Sequence, residues 1–246
     1  MSEPIVFIHG FGGCSSLWQW QQDYFVDRQT VAIDLPGHGI CPWKGETLDE
    51  MARLVHTQCL QAGISLTDIV ASSFGGMVAV KICELYPDFA RRIVFCGALP
   101  RFTATDDFPA GLNTEKIRKL AGQCEGDIGS ILDVFFRSLF TRKEKERARY
   151  FQIKELRVKS PLPTKEGLLG VLNLLESEDV RFQFSRLKQP SLFIVGDSDP
   201  ICPLKVVEPM RVLLPSIQVE ALKEVGHFPF LSIPEVFNRR MERFLQ

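Results

Sequence analysis

The sequence predicts an α/β fold, a doubly wound and mostly parallel sheet interrupted once by a block of helices. Three observations carry this expectation. Six short apolar runs recur along the 246 residues, nearly continuous in apolar character, as strands covered on both faces require. Helical stretches bearing one apolar stripe lie between them. The alternation stops after Leu99-Pro100 and resumes at Ser191, so residues 1–100 and 188–246 read as one core and 101–187 as a helical cap inserted in it.

Taken in order, Ile5 to His9 and Thr30 to Asp34 are the first two strands. From Thr47 to Gly63 the spacing of Leu48, Met51, Leu54, Val55 and Cys59 predicts a helix with one apolar face, stopped by the glycine. Asp68 to Ser72 is the third strand, Phe74 to Tyr86 a helix ended by Pro87, and Arg92 to Cys96 the fourth strand. Within the insertion, helices are expected over Thr114 to Gln123, Asp127 to Phe140, Arg142 to Lys159 and Thr164 to Glu176. Lys188-Gln189-Pro190 marks the return to strands at Ser191 to Gly196 and Gln218 to Leu222.

Composition narrows the function. Lys and Arg number 29 against 30 Asp and Glu, so the net charge of −1 gives no reason to expect nucleic acid or a membrane surface as partner. The N-terminus lacks a basic region followed by an apolar stretch, and no run approaches a membrane span, which predicts a cytoplasmic location. Seven cysteines without a C-x-x-C pair predict reduced, mostly buried thiols rather than a zinc site or a disulfide framework.

The chemistry is expected where strands end. Val70-Ala71-Ser72-Ser73-Phe74-Gly75-Gly76 runs from an apolar strand through a serine into a helix, and small residues at Ala71 and Gly75 let strand and helix approach around Ser73. Centring the turn on Ser72 would put Val70 and Phe74 at the crowded positions, so Ser73 is the better nucleophile. His9-Gly10-Phe11-Gly12-Gly13 can aim the N–H of Phe11 toward the same crevice, to form an oxyanion hole with the N–H of Phe74. Gly196-Asp197-Ser198-Asp199-Pro200 leaves the fifth strand and Gly226-His227-Phe228-Pro229-Phe230 follows the sixth. The order Ser73, Asp199, His227 suits nucleophilic catalysis: the imidazole takes the hydroxyl proton, and the carboxylate holds the tautomer. Asp197 is the alternative carboxylate, with Asp199 favoured because it lies farther into the loop. Of the other histidines, His9 is expected to brace the oxyanion loop, while Asp34 to Gly39 reads as a structural turn containing His38.

With these segments in place the chain resembles the α/β-hydrolase superfamily, and within it looks most like the pimeloyl-acyl carrier protein methyl ester esterases of biotin synthesis. The further carrying segments are Leu99-Pro100-Arg101-Phe102, Asp107 to Gly111, and Gly226 to Phe237. Two departures stand out. Ser72 occupies a position that is usually a bulky aromatic, which predicts an altered pocket wall; and the first parallel strand opens the chain, which predicts a shortened N-terminal sheet edge. The resemblance implies a serine carboxylesterase that needs no metal or organic cofactor and acts on an acyl chain borne by an acidic carrier protein. Between Arg137 and Lys159 nine basic residues face three acidic ones, and Arg137, Arg142, Arg147 and Arg149 are expected to dock that carrier. Beneath them Phe135, Phe136, Leu139 and Phe140 recur at helical spacing and are expected to roof the acyl site. A general short-chain esterase, a thioesterase or a carbon–carbon bond hydrolase would use the same residues. A non-catalytic binding protein would use the same pocket without turnover.

Overall fold

The computed structural model describes residues 3–246. Six strands form one sheet: β1 (Ile5–Ile8), β2 (Thr30–Ile33), β3 (Thr67–Ser72), β4 (Ala90–Cys96), β5 (Ser191–Gly196) and β6 (Gln218–Leu222). Their order is β2-β1-β3-β4-β5-β6 and every pairing is parallel. β1, β3 and β5 are buried along their whole length, as their unbroken apolar runs demand. The strand order reverses between β1 and β3, and an open sheet of this kind leaves its crevice beyond the carboxyl ends of the strands at that reversal.

The helices that cover the sheet are α1 (Gln19–Tyr24), α2 (Leu48–Gln61), α3 (Phe74–Leu85), α10 (Val207–Leu213), α11 (Pro229–Ser232) and α12 (Pro234–Leu245). Those between β4 and β5 are α4 (Thr114–Gln123), α5 (Ile128–Ser138), α6 (Arg142–Lys145), α7 (Ala148–Lys159), α8 (Lys165–Ser177) and α9 (Arg181–Phe184). Helix α2 shows how closely local chemistry sets an element. Thr47 Oγ1 accepts from the Glu50 N–H while the Glu50 carboxylate accepts from the Thr47 N–H, a capping box; Gly63, at a φ of 75°, stops the chain just beyond the helix. The apolar face it buries includes Met51, Val55 and Cys59. Each such side chain removed from water stabilises the fold by about 1.5–3 kcal/mol.

The segment expected to be one helix over 142–159 is two. Thr141 and Glu144 cap the single turn of α6, whereas Arg147 is extended and begins α7 anew. The break has no glycine or proline to announce it. Its cause is tertiary: the Glu144 carboxylate accepts from the Gly226 N–H, while Ile153 and Leu156 of α7 are buried in the hydrophobic cluster that also holds Trp18 and Phe228. Helices α4, α5, α7, α8 and α9 contribute to the hydrophobic clusters that hold the sheet and its covering helices. Among the described residues no helix is long and apolar enough to cross a membrane.

Candidate active site

Ser73 sits between β3 and α3 with φ 51° and ψ −122°, a conformation that costs an L-residue about 1–3 kcal/mol and survives only where its surroundings enforce it. The Ser73 N–H donates to the Cys96 carbonyl at 2.9 Å. At Gly75 an added Cβ would lie 2.5 Å from the His9 carbonyl oxygen, so helix α3 approaches β1 only because that position has no side chain. Ser72 is fully buried, its hydroxyl has no hydrogen-bond partner among the described residues, and it does not line the crevice. The altered pocket wall expected at Ser72 is therefore corrected: alternation along the strand turns its side chain into the core.

Beside Ser73, the N–H groups of Phe11 and Phe74 have no hydrogen-bond partners among the described residues. The loop that carries Phe11 is held by two buried histidines. His38 Nε2 accepts from the Gly12 N–H at 3.1 Å and Nδ1 donates to the Pro36 carbonyl; His9 Nδ1 donates to the Gly10 carbonyl and Nε2 accepts from the Leu35 N–H. Both rings must be neutral to accept in this way, and burial lowers both pKa values, His38 to about 3. His9 thus braces the loop as expected, and His38, read from sequence as part of a turn, braces it as well. Asp34 is structural, accepting from the Ser15 and Ile40 N–H groups.

His227 Nδ1 lies 2.7 Å from Asp199 Oδ2, both side chains buried. The other carboxylate oxygen, Oδ1, accepts from the Ile201 and Cys202 N–H groups at 2.7 and 2.9 Å, which fixes the carboxylate plane. A carboxylate acceptor keeps the proton on Nδ1 and leaves Nε2 unprotonated, the form a general base requires. Asp197 is turned away, its Oδ1 accepting from the Glu224 N–H and the Ser198 hydroxyl. Gly97, at a φ of 54°, closes the arrangement from β4: a Cβ there would stand 3.0 Å from the imidazole and 3.1 Å from Asp199.

Ser73 and His227 open together on a cavity of about 700 Å³, walled mainly by apolar side chains such as Phe11, Phe102, Phe135, Leu172 and Leu175. That volume suits an organic ligand of moderate size. Phe135 and Leu139 line it, but Phe136 and Phe140 do not. Phe136 packs against Phe228 at 4.8 Å beneath the Arg157 guanidinium, and Phe140 lies between Phe228 and Tyr150. The expected roof of four residues is thus reduced to two, because neighbours on a helix point about 100° apart and the stripe covers two faces.

The model of the family described as alpha/beta hydrolase fold matches residues 3–234. The chain belongs to the alpha/beta hydrolase fold family. A pimeloyl-[acyl-carrier protein] methyl ester esterase of Yersinia enterocolitica is 29% identical over 250 residues, covering 98% of this chain and 93% of that protein. One of the same name from Klebsiella pneumoniae subsp. pneumoniae is 28% identical over 237 residues, covering 95% and 90%. Among solved structures, an esterase from Exiguobacterium antarcticum superposes with a TM-score of 0.88 at 22% identity, covering 99% of this chain and 92% of that one. A bromoperoxidase from Bacillus anthracis reaches 0.89 at 23% identity, covering 100% and 92%. At those identities the two structures speak for the fold.

In this alpha/beta hydrolase one group of potential metal donors occurs among the described residues, Asp199, Cys202 and His227. Their atoms are already committed within the protein: Asp199 to His227 and two N–H groups, and the Cys202 thiol to the Gly97 carbonyl at 2.8 Å. Burial, reinforced by the Asp199 carboxylate, holds the Cys202 thiol well above its ordinary pKa and therefore protonated.

In the sequence Glu144 is marked only as one of three acids among nine bases between Arg137 and Lys159. In the structure it is buried, and its Oε2 accepts from the Gly226 N–H at 3.0 Å and the Thr141 N–H at 2.6 Å, while the Leu139 carbonyl accepts from the His227 N–H at 2.9 Å. The segment 139–144 thus clamps the loop that presents the imidazole. Glu144→Ala leaves the buried Gly226 N–H without its acceptor. The expected result is about a tenfold loss in kcat with KM little changed, whereas Glu144→Gln, which keeps an acceptor oxygen, recovers most of it. Equal behaviour of the two variants in steady-state kinetics would refute the clamp.

Proposed function

We propose that this chain is a serine carboxylesterase that cleaves the methyl ester of pimeloyl-acyl carrier protein methyl ester, giving pimeloyl-acyl carrier protein and methanol. The observation that carries the reading is the buried Asp199–His227 pair, with His227 and Ser73 opening on one largely apolar cavity, in a chain whose relatives over nearly its whole length are named for that esterase. Ser73 Oγ attacks the ester carbonyl as His227 Nε2 takes its proton, and Asp199 steadies the imidazolium. The N–H groups of Phe11 and Phe74 receive the negative charge on the carbonyl oxygen. Collapse of the adduct passes the proton to the methoxy oxygen and releases methanol. Water then enters, gives its proton to His227 and frees the carboxylate from Ser73. Residues 101–187 act as the cap over this cavity, with residues 1–100 and 188–246 as its base. Seven free cysteines accord with a cytoplasmic setting.

An apolar cavity favours a chain of several methylenes, since each CH₂ buried contributes about 0.8 kcal/mol. The carrier-bound methyl pimeloyl ester is therefore expected to exceed methyl acetate in kcat/KM by about 10³-fold or more, with methanol and the free acid recovered in equal amounts. Comparable rates on the two esters would reduce the protein to a general short-chain esterase. Release of the acyl group from the carrier with the methyl ester intact would make it a thioesterase.

A further inference from the structure

The exposed residues that line the cavity lie mostly on α4, on α5 and in the turn between them, with Pro200 beside them. On α4 the exposed lining residues Lys116, Lys119 and Gln123 share one helix face, at spacings of three and four, and exposed Val134 and Ser138 lie on the opposite lip. Neither Lys116 nor Lys119 has an ion-pair partner among the described residues, although Arg118 between them pairs with Glu176 at 2.7 Å. A second cavity, of about 480 Å³, shares Leu112, Lys116 and Pro200 with the first and is lined also by Lys205; among the described residues no carboxylate lines it. Among the described residues Asp127 is the one carboxylate that lines the first cavity, and it caps α5 by accepting from the Ser130 N–H at 2.8 Å.

The more basic stretch lies elsewhere. No residue of α6 or α7 lines either cavity, and α7 packs against α11 and the turn at Ser15–Trp18. Much of its charge is also answered within the chain. Arg142 pairs with Glu146, Lys143 with Glu224, and Arg149 with Glu235 above the ring of Trp20, while Arg157 covers Phe136. Of the four arginines expected to dock a carrier, Arg137 alone adjoins a residue of the mouth, Ser138.

An ester held at Ser73 leaves the rest of its acyl chain to exit through the mouth, so whatever bears that chain meets the mouth. We propose that an acidic carrier protein docks across the α4–α5 opening, its carboxylates facing Lys116, Lys119 and Lys205, and not on α6 and α7. This rests on the carrier-bound substrate proposed above. The attraction acts chiefly on association and is screened by salt.

The test compares the parent protein with two charge reversals, Lys116→Glu/Lys119→Glu/Lys205→Glu and Arg142→Glu/Arg147→Glu. Three substrates are used: methyl pimeloyl-carrier protein, methyl pimeloyl-pantetheine thioester and methyl butyrate. The lysine variant is expected to lose at least about tenfold more kcat/KM on the carrier-bound ester than on either small ester, and to lose the salt dependence of the parent. The arginine variant is expected to lose less than threefold. Equal losses of the lysine variant on all three substrates, or a larger carrier-specific loss in the arginine variant, would overturn the docking surface. A parent that does not favour the carrier-bound ester over the pantetheine thioester would overturn the carrier reading and the surface with it.

Discussion

Ser73→Ala is expected to lower kcat on the methyl ester by a factor on the order of 10⁴ or more, the largest effect of any single change in this protein. Without Oγ there is no covalent intermediate, and the imidazole and oxyanion donors cannot act through a group that is missing. Binding of the acyl chain rests on the walls of the cavity, so a non-hydrolysable amide analogue should bind parent and variant within about threefold. Stability offers an independent check of the strained turn. Alanine retains the cost of a φ of 51°, whereas Ser73→Gly, equally inactive, relieves it and should unfold at higher urea. An alanine variant with activity near that of the parent would remove Ser73 from the mechanism. Failure of an organophosphonate probe to label the folded parent at Ser73 would do the same.

The second large effect belongs to Asp199. Asp199→Asn preserves shape but offers an amide where the carboxylate accepted from Nδ1, which favours the wrong imidazole tautomer and withdraws the charge that steadies the imidazolium. A fall in kcat of roughly 10³–10⁴ is expected, with KM little altered. Asp197→Asn is the matched control, since its Oδ1 accepts from the Glu224 N–H and faces no catalytic atom. It should stay within about threefold of the parent. A large loss from Asp197→Asn, with Asp199→Asn near the parent rate, would reverse the assignment.

Much of this arrangement is legible along the chain because it depends on neighbours in sequence. The run Ile69-Val70-Ala71 predicts a buried strand, and Ala71 and Gly75 around Ser73 predict the turn, since local sterics at such a bend admit little else. Helix α4 starts and ends where its periodicity places it, at Thr114 and Gln123. The phenylalanines of α5 show the limit. A stripe of large apolar residues predicts that a helix is covered, but its two faces meet different neighbours: Phe135 the cavity, Phe136 the ring of Phe228.

By itself the sequence determined the alternation of strands and helices, the strained serine and the chain order of serine, carboxylate and histidine, since each follows from periodicity or from spacing at a turn. The tertiary structure decided which carboxylate of the 196–200 loop meets His227. It decided that Glu144, 82 residues before Gly226, holds the histidine loop, and that the lysines of α4 rather than the arginines of α6 and α7 border the mouth. The reason is physical. A contact between segments far apart in the chain is selected by the packing of the whole core, and it imposes no repeat on either segment from which it could be read.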